Sequence, residues 1–171
     1  KENQRARLTE YVKYRKNAKY IPVDSYPKGR NAVWSVPCFA AFPSATQNEL
    51  NLEDAKELIK NGCICVSEGA NMPSTNEAVD FFVAQKIAYG PGKAANAGGV
   101  ATSQLEMAQN ASMVSWTFEE VDAKLEKIMK HIFDTASATA KEFGEPTNLV
   151  LGANIAGFRR VADAMIEQGI V

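Results

Sequence analysis

The feature that most constrains the fold of this sequence is a repeated alternation between residues 36 and 114. Three short apolar segments, at 36–43, 63–66 and 87–89, are each followed by a polar or glycine-rich loop and then by a segment with helical spacing. Strands that alternate with helices form βαβ units, in which the strands are parallel and the crossovers are right-handed. The sequence therefore predicts an α/β fold built on a parallel sheet.

The helices of this repeat have recognisable ends. The first runs through Leu52 and Leu58 and stops at the Asn-Gly pair 61–62. The second begins near Ser74, where the sequence Ser-Thr-Asn-Glu fits a capping box. The third spans residues 100–114 and follows a glycine-rich loop. Each of the three loops is therefore expected to lead from a strand into a helix.

Outside this repeat the chain is predicted to be mostly helical. A basic helix is expected over residues 1–17, followed by a short strand over residues 19–23. A capping box at Thr117 opens a long helix, which the Gly-Glu-Pro sequence at 144–146 breaks. A last helix is expected over residues 147–169, from a threonine to a glycine stop.

Two glycines lie inside the last predicted helix. Gly152 and Gly157 each cost roughly 1 kcal/mol relative to alanine in a helix interior. Such a cost indicates close packing, so we expect this helix to lie against another element, either of this chain or of a missing domain.

Composition argues against several classes of partner and site. The 171 residues carry a formal net charge of −1, which argues against nucleic acid or an anionic membrane as the main partner. No apolar run approaches the roughly 18 residues that span a bilayer. Three cysteines without metal-ligand spacing indicate reduced thiols in a cytosolic protein. A single histidine, His131, cannot form a familiar zinc site, so we expect it to be structural and expect no metal.

Neutral polar loops follow the three predicted strands. They contain Ala-Thr-Gln-Asn at 45–48, Glu-Gly-Ala-Asn at 68–71 and the glycine-rich segment 90–103. Ligands of open parallel sheets bind outside the carboxyl ends of the strands, and a glycine-rich turn lets backbone N–H groups approach an anion. The same residue types also favour ordinary caps and turns, and Glu68 is expected to cap its own loop. Three such loops on one edge favour a ligand with amide, hydroxyl and carboxylate groups.

The chain contains four extended motifs, WSVPCFAAFPSATQNEL, EGANMPSTNEA, PGKAANAGGVATSQLEMAQN and NLVLGANIAGFRRVADAMIEQGIV. In this order they resemble the hexameric glutamate dehydrogenases of the bacterial and fungal type. The resemblance implies a Rossmann-like fold, in which residues 1–115 form the later half of the coenzyme domain. Residues 116–171 would form a helical segment that packs back toward a substrate domain. The start KENQRAR, which lacks Met, adds to the expectation of a C-terminal fragment.

The resemblance also implies how a cofactor is bound. Ala45 and Thr46 would lie beside the nicotinamide and its ribose, and Asn71 would bind on the same side of the cofactor. The motifs are similar to those of the biosynthetic, small-hexamer enzymes, so NADP is the expected cofactor. NAD stays possible, because the residues that decide between the two have no counterpart in this chain.

The same resemblance implies a set of substrate contacts. Asn96, Gly99 and Val100 would line the substrate pocket, and the Ser103 hydroxyl would donate a hydrogen bond to the side-chain carboxylate of glutamate. A serine suits this role because it donates to a carboxylate without adding charge. Lys93 is expected to be structural.

The implied activity is the conversion of L-glutamate to 2-oxoglutarate and ammonia by a cytoplasmic homohexamer. The family's catalytic lysines, its acid/base aspartate and its glycine-rich dinucleotide fingerprint have no match here, so we expect no catalytic residue and no turnover from this chain alone. A sister dehydrogenase acting on leucine or phenylalanine is one alternative, and it should have an apolar residue in place of Ser103. A stand-alone, non-catalytic α/β binding or oligomerisation module is the other.

Overall fold

A computed structural model describes residues 7–169 of the chain. Three short strands alternate with helices in the first two thirds of the described chain, and two long helices follow. The strands are Ala40–Ala41 (β1), Cys65–Ser67 (β2) and Ala88–Gly90 (β3). The helices are Leu8–Tyr14 (α1), Leu52–Lys60 (α2), Asn76–Ala84 (α3), Gly92–Ala95 (α4), Gly98–Ala111 (α5), Phe118–Glu142 (α6) and Leu149–Gln168 (α7).

The three strands form one parallel sheet in the order β1-β2-β3. Ala41 pairs with Val66, and Val66 pairs with Tyr89. The predicted α/β class and the parallel sheet are therefore confirmed. The first strand is much shorter than the predicted segment 36–43, because only Ala40 and Ala41 pair with β2.

The core lies where α2 and α3 pack against the sheet. Leu58, Val66 and Phe82 are fully buried there, and the Phe82 ring stacks on Tyr89 with 5.6 Å between centroids. Burial of side chains of this size contributes about 1.5–3 kcal/mol each. Apolar packing by two helices therefore supports a sheet whose own hydrogen bonds are few.

Local capping explains where two of the helices begin. At α2, the Asn51 side chain accepts hydrogen bonds from the N–H groups of Glu53 and Asp54, and Asp54 accepts from the Asn51 N–H in return. Asp54 also accepts from the Asn31 N–H at 2.9 Å, which fixes the preceding loop. The capping box predicted at Thr117 is confirmed at α6.

Three local predictions are wrong or displaced. Residues 19–23 form no strand, because this short apolar segment has no neighbouring strand to pair with, and Ile21 is exposed. The capping box predicted at Ser74 does not form: Thr75 is the N-cap of α3 and its side chain makes no capping bond. The last helix is capped by Asn148 and not by Thr147. The predicted helix over residues 1–17 is helical over Leu8–Tyr14, which is α1, and its residues 1–6 lie outside the described residues.

The two long helices are packed against each other at Gly152. A Cβ atom at this position would overlap the Ala136 carbonyl oxygen of α6 and would lie 3.0 Å from Ala140 Cβ. The close packing expected from the sequence is thus confirmed for Gly152. For Gly157 it stays a prediction: among the described residues a Cβ atom there would meet no atom within 4 Å, and the expected partner can belong to a missing domain.

The boundary at residue 115 stays a prediction. Helix α5 contacts α6 across it, because a Cβ atom at Gly98 would lie 3.7 Å from Met129 Sδ and 3.8 Å from Leu125 Cδ1. The helical segment therefore contacts the βα repeat as well as forming its own helix pair.

The Gly152 contact generates a stability prediction. Replacing Gly152 with alanine should lower the free energy of unfolding by about 2 kcal/mol, because the new methyl group forces α6 and α7 apart at a backbone oxygen. Gly157→Ala is the matched control, and it should leave stability unchanged or raise it by up to about 1 kcal/mol through helix propensity. Thermal unfolding of the 171-residue chain, followed by circular dichroism, compares the two. Equal melting temperatures for both variants would contradict the packing argument.

Candidate functional site

Backbone hydrogen bonds hold the loops at the carboxyl ends of the strands side by side. The Gly69 N–H donates to the Pro43 carbonyl at 2.9 Å, which joins the loop after β1 to the loop after β2. The Glu68 N–H donates to the Gly90 carbonyl at 3.0 Å, which joins the second loop to the third. The expectation that all three loops share one edge of the sheet is therefore confirmed.

Asn71 and Asn96 are in direct contact at this edge. Asn96 Nδ2 donates to Asn71 Oδ1 at 2.6 Å and to the Ala70 carbonyl at 3.1 Å. Asn71 is exposed, and Asn96 is half-buried at the end of α4. The structure thus brings together a residue expected to bind cofactor and a residue expected to bind substrate.

Ala45 and Thr46 lie in the loop after β1, and both are exposed. The Ala45 N–H donates to Glu49 Oε1 at 2.8 Å, which turns the loop back on itself. The neighbouring Gly69 has no room for a side chain, because a Cβ atom there would overlap Ser44 Oγ. These two residues stand beside the Glu68–Asn71 loop, but within residues 7–169 they make no hydrogen bond to Asn71 or Asn96.

The four residues expected to contact substrate follow one another at helical spacing. Gly99, Val100 and Ser103 lie in the first two turns of α5 and share one face. Asn96 ends α4, and its carbonyl accepts a hydrogen bond from the Gly99 N–H at 3.3 Å. Val100 is 71% exposed, and Gly99 and Ser103 are exposed as well. The Ser103 hydroxyl donates to the Gly99 carbonyl at 3.3 Å. The face therefore presents a small, mostly neutral surface next to the Asn71–Asn96 contact.

Glu68 connects the second and third loops through its side chain. It is 4% exposed, and its two oxygens accept hydrogen bonds from the Ser74 N–H at 3.3 Å and the Gly92 N–H at 2.7 Å. The bond to Ser74 confirms the expected cap of its own loop. The sequence does not predict the bond to Gly92, because the two residues are 24 positions apart and no local pattern joins them.

A cleft of about 720 Å³ lies against these two loops, in the size range of small-molecule sites. Its lining includes Glu68, Tyr89, Gly92 and Lys93. Burial, and then the neighbouring Glu68 charge, raise the pKa of the Tyr89 phenol, so this group stays protonated at neutral pH. Lys93 Nζ donates to Asn154 Oδ1 of α7 at 2.6 Å, in agreement with its expected structural role.

Within residues 7–169 no group of three or more His, Cys, Asp or Glu side chains is arranged to hold a metal ion. Cys38, Cys63 and Cys65 are free, and His131 is exposed on α6. None of the helices in this part of the chain has both the length and the apolar character needed to cross a membrane.

A parallel sheet with polar and glycine-rich loops at the carboxyl ends of its strands defines a Rossmann-like α/β unit. Its sequence identifies it further. The chain belongs to the Glutamate/Leucine/Phenylalanine/Valine dehydrogenase family, whose sequence model matches residues 1–169.

Similar proteins cover almost the whole chain. An NADP-specific glutamate dehydrogenase of Helicobacter pylori strain J99 is 66% identical over 170 residues, which are 99% of this chain and 38% of that protein. An NADP-specific glutamate dehydrogenase of Chlorella sorokiniana is 50% identical over 173 aligned positions and is matched over 31% of its length. A crystal structure of Plasmodium falciparum glutamate dehydrogenase superimposes with a TM-score of 0.88 at 51% identity, over 97% of this chain and 34% of that one. The chain thus spans less than two fifths of the length of these relatives.

We call the sheet edge that carries the loops 45–48, 68–71 and 90–103 the ligand edge. The Asn71–Asn96 contact generates a prediction about its stability. Asn96→Asp replaces a donor by an acceptor opposite two oxygens, so both hydrogen bonds should be lost at a cost of about 2 kcal/mol in unfolding free energy. Asn76→Asp is the control: this exposed residue opens α3, where a carboxylate is tolerated, and the change should stay within about 0.5 kcal/mol. Urea unfolding of the chain measures both. An Asn96→Asp protein as stable as the control would show that the contact does not order the edge.

Proposed function

We propose that this chain is the C-terminal part of an NADP(H)-dependent glutamate dehydrogenase, which interconverts L-glutamate with 2-oxoglutarate and ammonia. The main support is the 66% identity to a protein named as an NADP-specific glutamate dehydrogenase, over 99% of the chain. The contact between Asn71 and Asn96 is the structural observation that carries the proposal, because it joins a residue expected to bind the cofactor to a residue expected to bind the substrate. We assign the activity to the longer protein.

On the cofactor side, Ala45, Thr46 and Asn71 form the wall that faces the nicotinamide and its ribose. Asn71 uses its Oδ1 atom to accept from Asn96, so its Nδ2 group is left to donate to a carboxamide or hydroxyl oxygen. The small, exposed side chains at 45 and 46 allow a planar ring to approach the backbone of this loop closely. The residues present therefore fit a nicotinamide nucleotide.

On the substrate side, Asn96, Gly99 and Val100 line the pocket and Ser103 binds the side-chain carboxylate of glutamate. The Ser103 hydroxyl has one proton, which it now shares with the Gly99 carbonyl at a long 3.3 Å. Turning that proton to a carboxylate exchanges a weak bond for a charge-assisted one, which is roughly twice as strong. Ser103 would therefore strengthen the binding of a substrate that carries a second carboxylate.

The division of labour follows from these positions. The nucleotide, when bound, supplies the hydride acceptor or donor, and the chain's residues orient the two reactants. Orientation of this kind contributes several kcal/mol to a bimolecular reaction. We assign no acid, base or catalytic lysine to this chain, so those groups come from another part of the protein and the chain alone is inactive.

The proposal extends to assembly and location. We propose a homohexamer in the cytoplasm for the whole protein, as the family resemblance implies. A sister enzyme acting on leucine or phenylalanine is disfavoured, because a polar hydroxyl at Ser103 suits a carboxylate better than an apolar side chain.

A steady-state assay of the whole protein tests the activity. With 2-oxoglutarate and ammonium, we expect oxidation of NADPH at a kcat/KM at least tenfold above that for NADH, and the controls are branched-chain and aromatic 2-oxo acids. Turnover with those acids and none with 2-oxoglutarate would move the protein to the sister dehydrogenases. Absence of turnover with every acid would leave the non-catalytic binding module.

The role of Ser103 has its own test in the whole protein. Ser103→Ala should raise the KM for 2-oxoglutarate about tenfold or more, since a hydrogen bond to a charged group contributes about 1.5–3 kcal/mol, and the KM for NADPH should stay unchanged. Thr102→Ala is the matched control, because Thr102 makes the same type of bond, from its hydroxyl to the Gly98 carbonyl at 2.9 Å, on a neighbouring face of α5. Equal effects of the two substitutions would remove the assigned role from Ser103.

A further inference from the structure

The buried Glu68 carboxylate stands between the two loops that carry Asn71 and Asn96. Ser74, which donates to one oxygen, ends the loop that contains Asn71, and Gly92, which donates to the other, is the first residue of α4. A carboxylate that is 4% exposed needs such bonds to offset its lost hydration. Its position therefore fixes where α4 begins relative to the Asn71 loop.

From Gly92 the constraint passes to the candidate ligand residues through one helical turn. The Asn96 N–H donates to the Gly92 carbonyl at 3.0 Å, so Asn96 moves with the start of α4. Asn96 Nδ2 in turn reaches back to Asn71 Oδ1 at 2.6 Å. Successive hydrogen bonds thus link Glu68 to Gly92, Gly92 to Asn96 and Asn96 to Asn71, and the chain from residue 68 to residue 71 closes the ring.

The ring is tightly packed at Gly92. A Cβ atom there would lie 3.0 Å from Glu68 Oε2 and 2.9 Å from the Ala70 carbonyl oxygen. Both distances are shorter than ordinary contacts of a Cβ atom, so a side chain would displace α4 from the loop. The absence of a side chain at position 92 is therefore needed for Glu68 to reach the amide.

We propose that Glu68 is a positioning residue for the reaction, which acts on the nucleotide through Asn71 and on the 2-oxo acid through Asn96. This proposal rests on the proposed glutamate dehydrogenase function, and it assigns Glu68 no direct contact with the nucleotide or the 2-oxo acid. Loss of the Glu68 carboxylate should release α4 and separate the two asparagines. Binding of both ligands should then weaken together, which distinguishes this role from that of Ser103.

The experiment compares Glu68→Gln with the wild type in the whole protein. Glutamine has one acceptor oxygen, so its NH₂ group must face one of the two backbone N–H donors and that bond is lost. We expect the KM values for NADPH and for 2-oxoglutarate both to rise about tenfold, with a smaller change in kcat. A purely structural role would lower the melting temperature and the active fraction and leave both KM values unchanged.

Glu57→Gln is the matched control for loss of a carboxylate away from the edge. Glu57 lies in α2, and its carboxylate pairs with Arg30 at 3.0 Å and with Lys60 at 3.7 Å. Desolvation acts to raise the pKa of this carboxyl, but the Lys60 and Arg30 cations hold it below its usual value. Its substitution should leave both KM values within about twofold of the wild type. If both KM values rose in Glu57→Gln as much as in Glu68→Gln, the effect would come from a general loss of stability, and the proposal would be overturned.

Gly92→Ala keeps the Glu68 charge and perturbs the same contact from the other side, so it tests the proposal even where Glu68→Gln does not fold. We expect both KM values to rise about threefold or more, in the same pattern. Native KM values in a folded Gly92→Ala or Glu68→Gln protein would overturn the role of Glu68. A wild type without activity on any 2-oxo acid would instead reject the proposed function, so the two failures are distinct.

Discussion

The arrangement of this chain depends on the parallel pairing of three strands of only two or three residues each. Because the strands are parallel, their carboxyl ends must emerge on one edge, and α2 and α3 must cross back between them. Pairing continues past the strands into the loops, where the Gly69 N–H donates to the Pro43 carbonyl at 2.9 Å and the Glu68 N–H to the Gly90 carbonyl at 3.0 Å. The ligand edge is therefore a continuation of the sheet, held by the same kind of backbone bond.

The two faces of this small sheet are packed differently. On one face Val66, Phe82 and Leu58 leave almost no accessible surface, so the strands are fixed by a dense apolar core. On the other, Cys65 and residues of α6 line a cavity of about 340 Å³. Cys65 lines this cavity and the adjacent Val66 lies in the core cluster, as alternation along a strand requires. The strands are thus held mainly by the α2–α3 face.

Features of this structure could be predicted where the physical cause is local. The Thr117 capping box and the glycine ends of helices, such as Gly144 with φ +81°, depend on a few successive residues. The alternation of strands and helices along the chain was sufficient to predict that the three loops lie on one edge of the sheet. The direct Asn71–Asn96 bond and the Glu68–Gly92 bond join positions 25 and 24 residues apart, and no local pattern specifies them. The failed strand at 19–23 shows the same limit, because pairing depends on a partner elsewhere.

The chemistry of the edge also follows from which charges the fold keeps away from it. Lys93 lies next to the loop, but its ammonium group donates to Asn154 of α7 at 2.6 Å, and Glu68 is occupied by two backbone amides. What is left facing outward is amide, hydroxyl and small apolar groups. Such a wall can orient an anionic substrate by hydrogen bonds, yet it cannot neutralise the charge. In the proposed enzyme a cationic group from another part of the protein would neutralise that charge, and the substrate would bind tightly only where that group and the wall meet.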